Sequence, residues 1–315
     1  MKKCFWFFLY IFFFLSVFAQ NRKIEFSIIP YTGLSCGSYD EILFSSMGKK
    51  KEVSVLEWKI DDLWYFGTDF NIKIERFSIQ AGIEYAVPLI CGNMYDSDFD
   101  SFSDLQHCYS ISEMNSKTNL HTHLDLSYII NSCENFSIAP KISILYFYDF
   151  FEARNGYGWY GFETETHPLV AWDDPRAKFY KKGTLGGADF CRHSVMSFLG
   201  LNYSFKIQKL TINTEMLFSP FCWFNTTDIH LSKSRDYHLI QTQFSFLSQF
   251  LICCEVDYSI SKTLMIYTHI QNIAGNLCKG LLYDDYSSKS PVLSDQKSGS
   301  SLNMYSISVG LGFSF

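Results

Sequence analysis

Charge is scarce in this chain of 315 residues: Lys and Arg number 26, Asp and Glu 32, and the formal net charge is −6. The acidic balance excludes a nucleic-acid binder, which needs a basic footprint. Cysteine is plentiful, at 10 residues, but no Cys-x-x-Cys spacing occurs, so a zinc site is not expected. There is no internal repeat and no low-complexity linker to mark a second domain. Long apolar runs are missing beyond the first twenty residues, and mean hydropathy is near zero. A bundle of membrane-spanning helices is thereby excluded, but a membrane β-barrel is not, because its strands are only half apolar. Aromatics are abundant, with 31 Phe, 20 Tyr and 6 Trp. That supply argues against a disordered chain.

The one continuous apolar run is N-terminal. Met1-Lys2-Lys3 is basic, Cys4 to Phe18 is apolar, and Val17-Phe18-Ala19 has the small-x-small form of a cleavage site. The run falls short of the roughly 20 residues of a spanning helix. Residues 1–19 are therefore expected to be a signal peptide, and 20–315 a single exported domain. Cys4 leaves with the signal, so nine cysteines remain. At least one thiol then stays unpaired within a monomer, and connectivity is not readable from spacing.

After residue 20 the dominant period is two. Tyr305, Ile307, Val309, Leu311, Phe313 and Phe315 alternate with Ser306, Ser308, Gly310, Gly312 and Ser314. One face is apolar, the other small and polar, as in a barrel strand facing lipid. The run from Phe77 to Val87 repeats the pattern, as do those from Leu120 to Tyr128 and from Leu199 to Phe205. Such runs predict ten antiparallel strands, near 24–44, 52–72, 77–89, 119–131, 136–160, 191–205, 209–231, 239–259, 263–275 and 301–315. Short connections alternate with long polar ones near 90–118, 161–190 and 276–300, the asymmetry of periplasmic turns and extracellular loops. Several strands exceed 20 residues, while about 9–11 cross a bilayer. The expectation is an all-β transmembrane barrel whose strands project well above the outer membrane.

Two short motifs carry chemistry. Asp96-Ser97-Asp98 places two carboxylates on one face of extended backbone, where like charge raises one pKa and a shared proton suits general acid–base work. A calcium loop fits poorly, since Ser101 and His107 stand where an EF-hand has Gly and Glu. Asp228-Ile229-His230 sets a carboxylate beside an imidazole, which fixes the tautomer and raises basicity. Either motif alone is equally compatible with a solvated surface pair. Topology brings them together: both end odd-numbered strands on the loop side, well separated around the ring, so they face one another across its mouth. A water between them is placed to attack a peptide carbonyl. Strict alternation from Leu210 and Ile212 would turn Asp228 and His230 toward lipid, so a β-bulge is predicted near Ser219-Pro220-Phe221. His121-x-His123 is read as lumen-facing polarity. Trp58, Trp64, Trp159 and Trp223 are read as girdle or packing aromatics.

These residues resemble the omptins, ten-stranded outer-membrane endopeptidases. Glu41-Ile42-Leu43-Phe44 is similar to the family's Glu-x-Val-Tyr, and Leu56-Glu57-Trp58-Lys59 to its Leu-Asp-Trp-Lys. Gly92-Asn93-Met94-Tyr95-Asp96-Ser97-Asp98 is similar to Gly-Asn-Met-x-Asp-x-Asp, Ala153-Arg154-Asn155-Gly156 to Ala-Arg-Gly-Gly, and Asp228-Ile229-His230 to Asp-x-His. The resemblance implies proteolysis at the cell surface without metal or organic cofactor, on peptide or protein substrates, in a barrel held in outer-membrane lipid. It implies a carboxylate pair at Asp96 and Asp98, a water-activating base at His230 and its orienter at Asp228. Glu41 would bind a basic substrate side chain. A second acid that helps hold such a side chain in well-known members is Thr226 here, so that preference does not carry over intact. The charged residues by which some members grip lipopolysaccharide are not evident on the fifth strand, where Tyr146 and Tyr148 stand. The reading from another class is a noncatalytic barrel acting as adhesin or structural protein. A porin comes third, because so small a barrel fills with side chains.

Overall fold

The computed structural model describes residues 24–45, 51–161, 168–231, 237–286 and 292–315. The proposed signal peptide, 1–19, lies outside the described residues. The strand segments are β1 (Ile24–Phe44), β2 (Glu52–Ile74), β3 (Phe77–Ala86), β4 (Ile90–Phe99), β5 (Gln106–Tyr128), β6 (Asn131–Cys133), β7 (Phe136–Tyr160), β8 (Lys178–Leu185), β9 (Ala188–Ile207), β10 (Leu210–His230), β11 (Tyr237–Ser245), β12 (Gln249–Ser259), β13 (Leu264–Gly275), β14 (Cys278–Tyr286) and β15 (Val292–Ser314). β3 with β4, β11 with β12, and β13 with β14 are lower and upper parts of single barrel strands. The ring thus has ten strands, and β1 closes it against β15 from Ser27↔Ser314 to Phe44↔Lys297. β6 prolongs β5 at its lower end and β8 precedes β9 at its upper end, each pairing with β7.

The predicted long loops are corrected in two places. Residues 90–118 are mostly strand, as β4 and the upper half of β5, and 276–300 hold β14 and the upper half of β15. Between 161 and 190 the added segment β8 extends the sheet. These stretches escape a period-two search because their outward face stands above the lipid and need not be apolar.

The outward face of the lower half is an apolar band. It includes Phe66, Ile83, Met216, Ile252, Ile266 and Val309, all exposed. Exposed side chains of this kind in a continuous belt are the lipid-facing surface of a barrel. The lumen behind the band is filled by ion pairs. Lys141 Nζ lies 2.8 Å from Asp125 Oδ2 and 2.7 Å from Glu215 Oε1. His121 Nε2 lies 2.9 Å from Asp149 Oδ1, and the Tyr31 hydroxyl donates to Asp69 at 3.1 Å. His121 and His123 both face this interior, as lumen-facing polarity predicts.

Three one-residue insertions reverse the facing of strands just above the band. Asp61-Asp62 of β2 stand opposite Cys36 alone, between the pairs Ser35↔Leu63 and Gly37↔Ile60. Lys117 is the extra residue of β5, between Ser116↔Phe151 and Thr118↔Phe150. Ser219-Pro220 of β10 face Phe198 alone, between Phe218↔Leu199 and Phe221↔Ser197. The bulge sits where the sequence conflict places it. Below it Glu215 and Leu217 are buried; above it Cys222, Phe224, Thr226 and Asp228 are. At the same level β10 changes neighbour from β12 to β11. Pro220 has no amide hydrogen to leave unpaired there.

Replacing Lys141 by Met strands two buried carboxylates. The barrel should lose roughly 3–5 kcal/mol, read as a lowered urea midpoint in detergent. An unchanged midpoint would show that the lumen carboxylates are already neutral.

Candidate active site

The site is assembled on the inward faces above the bulges. β10 carries Thr226, Asp228 and His230 on alternate positions. Asp228 is fully buried, and its Oδ2 is 2.8 Å from His230 Nε2. His230 is about one-quarter exposed, at 23% of its side-chain area, so the pair has one dry member and one wet one. β4 carries Met94, Asp96 and Asp98 on its inward face. They are set there after a bulge at Gly92, whose φ of 155° and 2.0 Å approach of a would-be Cβ to Lys59 O leave no room for a side chain. Asp98 is register partner to Cys108, and ligand-type atoms of Asp96, Asp98 and Cys108 all lie within 4.8 Å of one another. Burial pushes the Cys108 thiol up, and the two aspartates push it further, so it stays protonated and donates to Asp98. The cluster is thus two carboxylates and a thiol.

Around the ring, β4 and β10 are separated by β5, β7 and β9 on the shorter side. The two motifs therefore stand on opposite arcs. Their walls meet over an aromatic floor. Trp58 of β2 packs against Phe190 of β9 with ring centroids 4.9 Å apart, and Phe190 is the register partner of Asp228. On the other arc, Glu41, Leu56 and Asp96 are register partners across β1, β2 and β4. Glu41 and Asp96 thus share one hydrogen-bonding level.

Glu41 is buried and its Oε2 accepts from Trp58 Nε1 at 3.2 Å. It lies well above the lipid-facing band. Desolvation pushes its pKa up to about 8, and the charge of Asp228 adds to the rise. Three buried oxygens of this corner, Glu41 Oε1, Thr226 Oγ1 and Asp228 Oδ1, have no hydrogen-bond partner among the described residues. Unsatisfied polar groups of this kind each cost about 1–3 kcal/mol in a dry core. Their clustering is a mark of a binding site.

Every residue singled out in the sequence, Glu41, Asp96, Asp98, Thr226, Asp228 and His230, thus lies on the inner wall above the lipid. Three contributors were not foreseen. Trp58 is a packing aromatic, one of the two uses expected of it, and its bond to Glu41 is the part not foreseen. Cys108 completes the aspartate cluster. Arg192 of β9 is fully buried beneath it all, register partner to Thr226. Inward parity within the strand beginning near 191 could have flagged Arg192 as a charge in the lumen. Among the described residues no cysteine forms a disulfide, although Cys222 Sγ and Cys278 Sγ stand 3.5 Å apart.

The Omptin family model matches residues 22–315, nearly the whole chain. The chain belongs to the omptin family. Its fold is similar to that of the outer membrane protease OmpT from Escherichia coli, with a TM-score of 0.78 at 15% identity, covering 92% of this chain and 97% of that one. The outer membrane protein OprG from Pseudomonas aeruginosa is 10% identical, covers 93% and 97%, and has a TM-score of only 0.38. The translocator domain of the autotransporter NalP from Neisseria meningitidis is 9% identical, covers 95% and 91%, and also scores 0.38. No curated protein matches. This omptin is an outer-membrane β-barrel of a protease family, and its ten strands follow the OmpT barrel over nearly their full length.

The raised Glu41 pKa has a sign. The folded protein holds a proton that the unfolded chain, with an ordinary pKa near 4.5, has released. Stability contributed at this position is therefore greatest at or below the unfolded value and falls as pH rises from 4.5 toward 8. Glu41→Gln should flatten the pH dependence of the heat-induced gel shift of the folded barrel across that window. An identical slope in the variant would show that Glu41 ionises normally.

Proposed function

We propose that this omptin is an outer-membrane endopeptidase that cleaves peptides or proteins outside the cell. Residues 1–19 direct export, and 20–315 form one barrel domain with the mouth facing the exterior and outer-membrane lipid around its lower half. The observation that carries the reading is the Asp228–His230 contact at 2.8 Å, on an inner wall above the lipid band and opposite a second acidic pair. A buried carboxylate against one imidazole nitrogen fixes the ring and stabilises the imidazolium that forms when the ring takes a proton. His230 therefore removes a proton from the attacking water, and Asp228 orients it. The hydroxide adds to the scissile carbonyl. The tetrahedral intermediate collapses as a proton passes to the leaving amine from the imidazolium or from the Asp96–Asp98 pair. Two neighbouring carboxylates suit that role, because like charges at short range favour sharing one proton.

Glu41 and Thr226 line the substrate side of the same pocket. Their orphaned oxygens, with that of Asp228, offer hydrogen-bonding sites for a side chain beside the scissile bond. The chemistry needs neither metal nor organic cofactor.

The test is cleavage of a peptide library by the barrel refolded in detergent, with and without outer-membrane lipid, read by mass spectrometry. His230→Ala, Asp228→Asn and the double change Asp96→Asn with Asp98→Asn should each lower kcat/KM by about 10²–10⁴-fold while the barrel stays folded. Undiminished cleavage by His230→Ala would remove the assignment. Absence of cleavage by the folded wild type under either condition would make the protein a noncatalytic barrel, an adhesin or structural protein on the same scaffold.

A further inference from the structure

Arg192 is the one residue beneath the site whose chemistry the proposed reaction does not use. A guanidinium is costly to bury, and this one is fully buried. It is held by neutral partners: Nε donates to Ser194 Oγ at 3.1 Å, and Nη1 to Ser300 Oγ at 2.9 Å and to the Ser301 carbonyl at 3.1 Å. Its plane lies between two rings, with Cζ 4.8 Å from the centre of Tyr39 and 4.0 Å from that of Phe224. Among the described residues it has no ion pair with a carboxylate. Nη2 is buried and has no partner.

The position of those rings places the guanidinium. Tyr39 lies two residues before Glu41 on the inward face of β1, and Phe224 two residues before Thr226 on that of β10. Ser300, which holds Nη1, is the register partner of Glu41. Arg192 itself is the register partner of Thr226, so the cation reaches from the level of Glu41 and Thr226 to the rings one pleat, some 6.6–6.8 Å of chain, below. It forms the bottom of the corner whose walls are Glu41, Thr226 and Asp228. A buried, unpaired donor on a fixed guanidinium meets two requirements of a recognition site: it is positioned before anything binds, and it is left unsatisfied otherwise.

We propose that Arg192 is a specificity-determining residue: its Nη2 receives the acceptor oxygen of a carboxylate or carboxamide side chain beside the scissile bond, and its charge excludes Lys and Arg there. The inference rests on the proposed proteolysis for its setting. Glu41 Oε1, buried and without a hydrogen-bond partner among the described residues, stands on the neighbouring wall. A basic side chain entering this corner would instead meet a buried cation held in place by three hydrogen bonds and two rings. Thr226 stands in place of a second acid on the wall; of the nearby carboxylates Asp228 already faces His230, and Asp149, the register partner of Arg192, faces His121.

Two measurements test this. In the first, peptides varied at each position flanking the cleaved bond are digested by wild type, Arg192→Met and Arg192→Lys, each shown to be folded by its heat-induced gel shift. At one flanking position wild type should favour Glu or Gln over Lys or Arg by at least about tenfold in kcat/KM. Comparing Glu with Gln tells whether charge or the acceptor oxygen is read. Arg192→Met should erase the preference, bringing the Glu, Gln and Lys peptides within a few fold of one another. Arg192→Lys should keep part of it. In the second, peptides with Glu, Gln or Lys at that position, or at each central position if nothing is cleaved, are titrated calorimetrically into His230→Ala with and without Arg192→Met. The Glu or Gln peptide should bind about tenfold tighter than the Lys peptide, and the gap should close in the double variant. Preferred binding or cleavage of Lys or Arg by wild type overturns the proposal, as do equal or undetectable binding of all peptides and a preference that survives Arg192→Met. Failure of wild type to cleave anything, with the binding order intact, would instead sink the proteolysis and leave the Arg192 subsite standing.

Discussion

Side chains of a β-strand alternate between two faces, so one inserted residue exchanges every side chain beyond it. In this barrel that constraint governs the site. The lower half of β10 turns odd-numbered residues inward, Glu215 and Leu217, and even-numbered ones to lipid, Met216 and Phe218. Without the one extra residue at Ser219-Pro220, Asp228 and His230 would continue on the outer face. The insertion at Asp61-Asp62 brings Trp58 inward in the same way, and that at Lys117 brings in Cys108 and Ser110. These irregularities lie at the level where strands leave the lipid band. Bulges also strengthen local twist, so the upper barrel can bring its walls together over the Trp58–Phe190 contact.

Polar groups and an apolar, aromatic core share the interior. Behind the lipid band Lys141 is held by Asp125 and Glu215, and His121 by Asp149. Above the bulges Glu41, Thr226, Asp228 and Arg192 gather around Tyr39, Trp58, Phe190 and Phe224. Each of the four keeps a buried polar atom without a hydrogen-bond partner among the described residues, as His123, Asp125, Asn202 and Asp257 do in the lower lumen.

Legibility in the sequence followed the solvent on each face. Where one face meets lipid and the other the lumen, alternation is sharp, and the runs at 77–87, 120–128 and 305–315 are strands as predicted. Above the lipid the outer face is wet, the contrast fades, and β4, β14 and the upper parts of β5 and β15 read as loops. The Ser219-Pro220 bulge was legible because Leu210 and His230 demanded opposite facings within one strand. The insertions in β2 and β5 were not, since no pair of residues there carried a conflicting requirement. Asp96, Asp98, Asp228 and His230 could be picked out by chemical type and spacing, and Glu41 by the family resemblance. Arg192 could not, because its meaning comes from Tyr39, Phe224 and Ser300, which are distant in the chain and converge only across the barrel.

Removal of Pro220 alone tests most directly the claim that an inserted residue makes this strand catalytic. The measurement is peptide cleavage by the barrel lacking Pro220, with its folded state followed by the heat-induced gel shift. The account predicts a barrel that still folds, since the lipid-facing half is untouched, and activity reduced to that of His230→Ala, because Asp228 and His230 now point outward. Cleavage at the wild-type rate by the folded deletion variant would contradict it.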